Sequence, residues 1–392
     1  MRTLRLHIWL TLCLFFPLAV EGQTQSAVDT TAMMRSDYIT ASLLVVEPSS
    51  EVYSMFGHCA LRLNCPSQQM DYCFTFETST DSKGILDFFI GQSMGGFAPA
   101  PTKDYLDYYR QEQRGVTQYE LNLTPAEKLQ LWRTADEEVA RGHYWHYDYR
   151  RIQCASMLIY LVEKALEQPI TYGELSEQLQ GTQRHQGLIE GKPFPWSVFC
   201  FQTIKGSEFD TSVPIEEKMT PRSLPFAWQH ATIDDSRPLI TDNGKTLVSG
   251  QPIEAAFFTP THACALLLII ALVASYGQWH YGWQLFPQVS DLLLLAIFIV
   301  MALVVTTVVL FSKYTGVEWN WYLPVFNPLP LVLWLIPRCR KVLLWCMGAV
   351  LLVCIVLTPF IPQYDLPHAL LMGCLLVGVL HHLPTLKLAT HK

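Results

Sequence analysis

Charged residues are scarce in this chain of 392 residues. Only 16% of the residues are charged, half are apolar, and the formal net charge is −7. So low a charged fraction is unusual for a soluble protein. The chain also has no basic stripe of the kind that neutralises a phosphate backbone. The composition therefore excludes nucleic acid as a partner and favours a protein that is embedded in a membrane.

Metal-binding spacing is also missing from the N-terminal part of the chain. No two histidines are separated by three residues before residue 256, and the sequence contains no internal repeat. This signature of a metal site is therefore absent. We expect neither a metal nor a cofactor, so any chemistry must come from the side chains themselves.

Long apolar runs are confined to the last third of the chain. Residues 27–255 have the composition of a soluble domain, whereas almost every residue from about 257 onward is hydrophobic. A helix that crosses a bilayer needs about 20 apolar residues. The sequence therefore predicts a membrane domain over 257–386 with about five transmembrane helices. The predicted spans lie near 261–277, 290–312, 321–337, 341–362 and 367–383.

The first 22 residues have the features of a secretory signal peptide. Arg2 and Arg5 precede an apolar stretch over 8–20 that is too short to cross a bilayer. Val20 and Gly22 are small enough for the cleavage positions. We therefore predict a signal peptide over residues 1–22, which places the soluble domain outside the cytoplasm.

Cations near the predicted spans give the orientation of the membrane domain. Arg338, Arg340 and Lys341 fall between the third and fourth spans. Loops rich in Lys and Arg face the cytoplasm. Five spans and this rule agree in placing a short C-terminal tail, residues 387–392, in the cytoplasm.

Alternating apolar residues and turn signals predict the start of the soluble domain. A strand over 38–47 is followed by a hairpin with strands over 58–63 and 70–77 and a turn near 66–69. A further strand is predicted over 118–123. The fold class indicated by these strands and the helices below is α+β.

Two helices follow with clear N-terminal signals. Thr124, Pro125 and Glu127 form a capping box for a helix that ends at Gly142, and a second helix begins at Cys154. Other segments are harder to assign. Residues 81–94 give mixed signals, 95–101 has the composition of a loop, 105–114 suits a short strand or helix, and 169–255 is a linker, a lid or an insertion.

Five cysteines lie in the soluble domain: Cys59, Cys65, Cys73, Cys154 and Cys200. An odd number in an oxidising compartment leaves at least one thiol free. Cys65 and Cys73 flank the hairpin turn and are candidates for a bridge. Cys59 points away from the face that carries His58, so we expect it in the core.

Cys154 and His58 are the principal candidates for catalysis. A thiol at a helix N-terminus feels the partial positive charge of unpaired amides, which lowers its pKa and favours the thiolate. His58 begins a strand, and Gly57 before it allows close approach of the backbone. Together a thiol and an imidazole are the minimum equipment for covalent acyl chemistry.

A third polar residue should orient the imidazole. In the predicted hairpin the end of the return strand lies beside His58, so Glu77 can accept the imidazole N–H. Thr75 shares a face with Glu77 and is one alternative. Asp71 is another, although this register places it near the turn, and a slip of one residue would reverse the faces.

Several polar side chains near the pair are candidates for oxyanion or substrate contacts. They are Ser54, Tyr53, Tyr147, Tyr149, Arg150 and Gln153. For each of them a packing role explains the residue equally well. The amide of Cys154 is itself a natural oxyanion donor.

Three segments of the soluble domain resemble a bacterial family. They are Ser54-Met55-Phe56-Gly57-His58-Cys59-Ala60-Leu61-Arg62, the return strand from Tyr72 to Thr75-Phe76-Glu77, and Gln153-Cys154-Ala155-Ser156. The chain is similar there to the Lnb-type lipoprotein N-acyltransferases, whose periplasmic domain resembles a circularly permuted NlpC/P60 (papain-like) fold. The resemblance covers most of residues 38–170, and the multi-span region fits the family's membrane part. The family usually has Asn before the cysteine, where this chain has Gln153.

The resemblance implies a reaction and a location. Cys154 would take a fatty acyl chain from a phospholipid donor as a thioester, with His58 and Glu77 as its catalytic partners. The acceptor would be a diacylated lipoprotein, through the α-amine of its N-terminal diacylglyceryl-cysteine. The protein would then lie in the inner membrane of a bacterium with two membranes, with residues 27–255 as a periplasmic catalytic domain.

Two other functions are compatible with the residues. A membrane-anchored papain-like amidase or peptidase would use the same pair to cut cell-wall peptides, with water in place of the amine. Five spans disfavour it, because a soluble peptide does not require them. A binding module with a vestigial Cys–His pair is the second alternative, and a free thiol in an oxidising compartment argues against it.

Overall fold

The computed structural model describes residues 38–51, 54–78, 90–173, 181–234, 236–254 and 256–383, together with Asp87 and Leu179. The predicted signal peptide over 1–22, the predicted tail over 387–392 and the candidate Tyr53 lie outside the described residues.

Antiparallel strands form the framework of the soluble domain. In chain order the strands are β1 (Thr40–Val46), β2 (His58–Cys65), β3 (Met70–Thr78), β4 (Met94–Pro101), β5 (Val116–Glu120), β6 (Trp145–His146), β7 (Thr171–Tyr172), β8 (Ala231–Ile233), β9 (Arg237–Pro238) and β10 (Lys245–Val248). Seven of them form one sheet in the order β10-β5-β1-β2-β3-β4-β6, and β7-β8-β9 form a second. Together with the helices this is a mixed α/β domain.

Seven helices belong to the soluble part and five to the membrane part among the described residues. The first set is α1 (Thr102–Gln111), α2 (Pro125–Arg141), α3 (Cys154–Leu166), α4 (Gln183–Glu190), α5 (Pro195–Ile204), α6 (Ile215–Lys218) and α7 (Leu224–Gln229). The second set is α8 (Pro260–Tyr281), α9 (Leu285–Phe311), α10 (Leu329–Trp334), α11 (Arg340–Leu357) and α12 (Leu366–His382).

The large sheet is covered on both faces near its centre. On β2, Cys59, Leu61 and Leu63 are buried on the face that packs against helix α3. Ala60 points to the opposite face, where it packs with Tyr105 of α1. This alternation follows from the period of two residues along a strand. It fixes β2, and therefore the position of His58 at its start, between two layers of helix.

The predicted hairpin and both capped helices are confirmed. Strands β2 and β3 pair with Ala60 opposite Thr75 and Asn64 opposite Asp71. Thr124 and Glu127 form the expected capping box, and Gly142 ends α2 in the left-handed region at φ 57°. Only a residue without a Cβ adopts that conformation at little cost, which explains why the helix stops there.

Two segments differ from the sequence-based expectation. Residues 95–101 are not a loop but most of β4, which pairs with β3 from Gly95 to Pro101. Strand β4 pairs with β6 only at Met94 and Gly95. The rest of that side of β4 is an open edge, where proline is tolerated because no backbone N–H is needed for strand pairing. Within 105–114, residues up to Gln111 belong to helix α1, which removes the strand alternative.

The predicted bridge between Cys65 and Cys73 is wrong, because both thiols are free. Cys73 pairs across the hairpin with Arg62, and Cys65 pairs with Met70. Because Arg62 and Cys65 are an odd number of residues apart on one strand, the two cysteines point to opposite faces of the sheet. No rotation of side chains can then join them.

The predicted helix over the third span, 321–337, is also wrong. Residues 321–326 form turns, and the helix α10 has only six residues. Proline lacks an N–H and clashes with the preceding turn, and three prolines fall between 324 and 330. Three described helical segments, Pro260–Tyr281, Leu285–Phe311 and Pro337–Leu357, are long and apolar enough to cross a membrane, and Leu366–His382 is a shorter apolar helix.

The turns at the start of the interrupted segment pack into the bundle. Tyr322 and Phe326 are completely buried, and the Phe326 ring lies 6.3 Å from that of Phe298, in the middle of α9. Irregular backbone is tolerated at membrane depth only where protein covers it. The neighbouring helices supply this cover.

Helix α5 connects the soluble domain to the membrane part. Asn320 Nδ2 donates to the Thr203 carbonyl at 2.9 Å, and Thr203 Oγ1 lies 2.9 Å from His368 Nε2. The ring of Phe199 stacks on His368 with 4.1 Å between centroids. The polar members of this junction are buried and mutually satisfied, which fixes α5 relative to the bundle.

Candidate active site

Cys154 is the first residue of helix α3 and is buried. Gln153 caps the helix: its Oε1 accepts from the Ala155 amide at 2.8 Å, and its Nε2 donates to the Met219 carbonyl at 2.5 Å. The Gln153 amide donates to Ser156 Oγ at 3.0 Å. These bonds fix the helix start and hold the thiol in the positive field of its first turn.

His58 begins β2 directly after a sharp turn. Gly57 has a φ of 80°, and a Cβ built there would lie 2.4 Å from the Val46 carbonyl oxygen. Both the left-handed backbone and the close approach require glycine. Gly57 therefore sets the angle at which His58 enters the sheet.

Thr75 supplies the hydrogen bond to the imidazole. His58 Nε2 lies 2.6 Å from Thr75 Oγ1. Because each ring nitrogen has one in-plane bonding position, Nδ1 is left for the thiol. Glu77, the predicted orienting residue, is exposed at the cavity and acts on His58 through its charge. Of the alternatives weighed from sequence, the structure gives this contact to Thr75.

Asp71, the other alternative, is engaged elsewhere. Arg62 donates to its two carboxylate oxygens at 2.8 and 2.6 Å, and Thr102 Oγ1 donates to it at 2.6 Å. Asp71 lies near the hairpin turn, opposite Asn64. Its role is to tie β3 to β2 and to the start of α1.

The surroundings of Cys154 and His58 favour the charged form of each side chain. A hydrogen bond from the Cys59 thiol, and then the hydrogen bond and charge of His58, hold the pKa of Cys154 well below its usual range despite burial. Burial acts to lower the pKa of His58, but the bond to Cys154 and the charges of Cys154 and Glu77 raise it. The thiolate and the imidazolium therefore stabilise each other.

Cys59 was expected only to fill the core. It is completely buried, as predicted, but its thiol also bonds to Cys154. Burial raises the pKa of Cys59 well above its usual value, so it keeps its proton and donates. Because successive residues of a strand point to opposite faces, the side chains of His58 and Cys59 leave β2 on opposite sides. The Cys154 thiol lies where both side chains can reach it.

Cys154 and His58 both line a cavity of about 830 Å³. This volume lies within the range of sites for small molecules, about 300–1,000 Å³. Nine aromatic side chains line it: Phe56, Phe76, Tyr105, Tyr108, Tyr109, Tyr147, Tyr149, Phe201 and Phe209. So aromatic a wall suits a ligand with a long apolar part.

The structure places some of the remaining candidates from the sequence at the cavity and others away from it. Ser54, Tyr147, Tyr149 and Gln153 line the cavity. Burial, together with the charge of Cys154, raises the pKa of Tyr147 well above its usual value, so its hydroxyl stays protonated.

Arg150 is not placed among the residues that line the cavity. Its buried guanidinium bonds to Glu208, to Gln183 Oε1 at 3.1 Å and to Thr211 Oγ1 at 3.2 Å. These partners use its charge and its donors. The expectation of a substrate or oxyanion contact is therefore corrected to a structural link between the loop before α3 and the segment around α4.

The region over 169–255 supplies site residues that the sequence did not reveal. Gln186, Lys205 and Met219 line the cavity opposite β2 and α3. Their spacing in the chain carries no periodic signal, so only the folded structure brings them to the site. Within the described part of the chain, no group of three or more His, Cys, Asp and Glu side chains could hold a metal ion.

Comparison with known families identifies both the soluble and the membrane part of the chain. Residues 27–178 match the family model described as the Lnb N-terminal periplasmic domain, and residues 252–388 match the Lnb transmembrane domain. No curated protein and no solved structure matches the chain. The two matches together cover well over half of the sequence and indicate an inner-membrane protein whose N-terminal domain is periplasmic. The chain therefore belongs to the Lnb-type lipoprotein N-acyltransferase family.

Proposed function

We propose that this protein moves a fatty acyl chain from a phospholipid to the α-amine of the N-terminal diacylglyceryl-cysteine of lipoproteins, through a thioester on Cys154. The observation that carries the proposal is that Cys154 and His58 lie together at the wall of an aromatic cavity, where the pKa of the thiol is lowered and that of the imidazole is raised. The membership of the chain in the Lnb family is consistent with lipoprotein N-acylation. A domain joined to apolar membrane helices has access to substrates that are both held in a bilayer.

In the first half-reaction the Cys154 thiolate attacks the carbonyl carbon of the acyl ester. The C–S bond forms, the ester C–O bond breaks, and the His58 imidazolium gives its proton to the leaving alkoxide. The products are a thioester and a lysophospholipid.

In the second half-reaction the neutral α-amine of the acceptor attacks the thioester. The C–N bond forms, the C–S bond breaks, and neutral His58 takes the proton of the amine. The amide product leaves, and the thiolate–imidazolium pair is restored. No proton or electron pair is left over, and the scheme is ping-pong.

The oxyanion in both steps would form beside two donors. The amide of Cys154 lies in the first turn of α3, where backbone N–H groups have no partner within the helix. The Tyr147 hydroxyl lines the same cavity and stays protonated. Donors fixed in a buried site are more effective than water at stabilising a developing charge.

Thr75 is the orienting residue in this proposal. Its hydroxyl holds Nε2 of His58, which turns Nδ1 toward the thiol. Glu77 stays a prediction as a catalytic residue, and its contribution is electrostatic, because its negative charge favours the imidazolium. Gln153 acts by holding the helix start.

The topology follows from the same proposal. The histidine strand precedes the cysteine helix, as in the circularly permuted NlpC/P60 fold. The bundle crosses the membrane five times, with the segment over 321–337 as an irregular third crossing. His382 at the end of α12 lies 2.9 Å from Asp291 near the start of α9, so these two helix ends lie on the same side of the bundle. Five crossings from a periplasmic domain put that side, with the C-terminus, in the cytoplasm.

Intact mass spectrometry of the full-length protein incubated with phospholipid tests the thioester. The wild type is expected to gain one fatty acyl mass that hydroxylamine removes. Cys154→Ser should gain no adduct that hydroxylamine removes under the same neutral conditions. Cys200→Ser is the matched control, because Cys200 is an exposed free cysteine of the same domain, and it should be acylated normally. Absence of an adduct, with cleavage of a cell-wall peptide, would overturn the proposal.

A further inference from the structure

Lys205 is a buried cation at the wall of the active-site cavity. It follows helix α5 directly and is only 8% exposed. Its Nζ lies over the rings of Phe56, Phe201 and Phe209, at 5.7, 5.0 and 5.3 Å from their centroids. These distances are those of cation–π contacts. The ammonium group is therefore held in an aromatic cage that opens on the reaction site.

The nearby carboxylates are committed to other partners. Asp210 accepts from Arg184 at 2.7 Å, and Glu190 accepts from Thr220 Oγ1 at 2.7 Å. Among the residues that the structure describes, none accepts a hydrogen bond from Lys205 Nζ. Burial lowers the pKa of Lys205 to about 7, as expected for a desolvated cation without a bonded counter-ion. Its donors are available to an anion.

A glycine allows the Lys205 ammonium to lie close against helix α4. A Cβ built on Gly187 of helix α4 would lie 2.9 Å from Lys205 Nζ, and Gly187 also lines the cavity. Gly187 has ordinary helical geometry, so its backbone does not require glycine. The missing side chain therefore makes room for the ammonium itself, which fixes Lys205 Nζ at the cavity wall beside α4.

We infer that Lys205 binds the phosphate of the acyl donor, so that the cavity selects a glycerophospholipid over a neutral acylglycerol. This inference rests on the proposed function. Of the two substrates proposed, only the donor carries an anion close to its ester. The acceptor reacts through a neutral amine, which offers no negative charge for a lysine ammonium to bind. Departure of the lysophospholipid removes the phosphate and returns Lys205 to its aromatic cage before the amine enters.

The experiment compares two donors that differ in the phosphate. The full-length protein in detergent is mixed with dioleoyl phosphatidylglycerol or with dioleoylglycerol, and the rate of acyl loading on Cys154 is followed by mass spectrometry. A hydrogen bond to a charged group is worth about 1.5–3 kcal/mol, or about 10- to 100-fold in rate. Lys205→Met should lose that factor with the phospholipid only. Loading from dioleoylglycerol should be slow in the wild type and unchanged in the variant.

Two further variants separate charge from structure. Lys192→Met removes an exposed lysine from the connection between α4 and α5 and should load both donors normally. Gly187→Ala keeps Lys205 but displaces its ammonium, so it should slow loading from the phospholipid alone. Equal loss with both donors, or no loss in Lys205→Met, would overturn the inference.

Two controls identify the source of any failure. If neither donor loads wild-type Cys154, the proposed function itself has failed. If both donors load the wild type equally, only the assignment of Lys205 has failed. Inorganic phosphate is added in a third arm: a Lys205-dependent stimulation of dioleoylglycerol loading, without preference for the phospholipid, would assign the site to free phosphate and overturn the headgroup assignment.

Discussion

Replacing Cys59 by Ala should make Cys154 a weaker nucleophile. The hydrogen bond from the Cys59 thiol is the largest contribution to the low pKa of Cys154, ahead of the bond and charge of His58. Without this donor the thiolate loses stabilisation and the pKa of Cys154 rises toward its ordinary value. The change lies in a buried site, so solvent screens it little.

The size of the effect follows from the type of bond. Hydrogen bonds to charged groups are worth about 1.5–3 kcal/mol, and a thiol is among the weaker donors. Taking the lower end, and about 1.4 kcal/mol for each factor of ten, the pKa of Cys154 should rise by about one unit, so the thiolate population should fall about 10-fold at pH values below the pKa of both proteins. The rate of alkylation of Cys154 should fall by the same factor, because the thiolate is the reacting species.

Alkylation by iodoacetamide across a range of pH, with the adduct mapped to Cys154, measures this population. Cys59→Ser keeps a donor at the same position and should retain a profile close to that of the wild type. Should the profile of Cys59→Ala coincide with that of the wild type, the thiolate would depend on His58 alone. The described role of Cys59 would then be refuted.

Two other predictions follow from single contacts. Thr75→Val removes the bond to His58 Nε2, so single-turnover acyl loading should slow about 2- to 10-fold, as expected for a net hydrogen bond, whereas Thr75→Ser should load normally. Hydrogen bonds from Arg237, together with those of Thr124, lower the pKa of Glu127 to about 2, although burial acts in the opposite direction. The stabilisation is therefore present above the unfolded pKa of about 4.3 and is lost as pH falls through about 2. Thermal unfolding should show a steeper loss over that window in the wild type than in Glu127→Gln, and parallel curves would contradict this.

Local signals predicted much of the soluble fold. The hairpin of β2 and β3 was predictable because alternation and turn residues agree on one register. Helix α2 was predictable because Thr124 and Glu127 satisfy its first amides. The same logic placed Cys154 at a helix start, since the apolar period begins immediately after it.

Long-range placement was not predictable in the same way. The register places Glu77 beside His58, but the ring extends along the strand to Thr75, which is opposite Ala60. The reach of the His58 side chain, and not the register of the strands, therefore determines that His58 contacts Thr75. Lys205 lies about 50 residues after Cys154 in a region without periodicity, so nothing local connects the two. Hydropathy predicted a helical third span over 321–337, but hydropathy does not register the loss of helix at closely spaced prolines.

Helix α5 forms part of the cavity wall and also part of the junction with the membrane helices. This affects how the site can change in evolution or design. Phe201 and the adjoining Lys205 face the cavity, while Thr203 and Phe199 are fastened to the bundle. The helix also lies in the interval 179–251, which neither Lnb family match includes. If that interval is exchanged between two family members, the preference for the acyl donor and the height of the site above the bilayer should be transferred together. A catalytic domain cut free of its helices would lose the support of one wall of its own cavity.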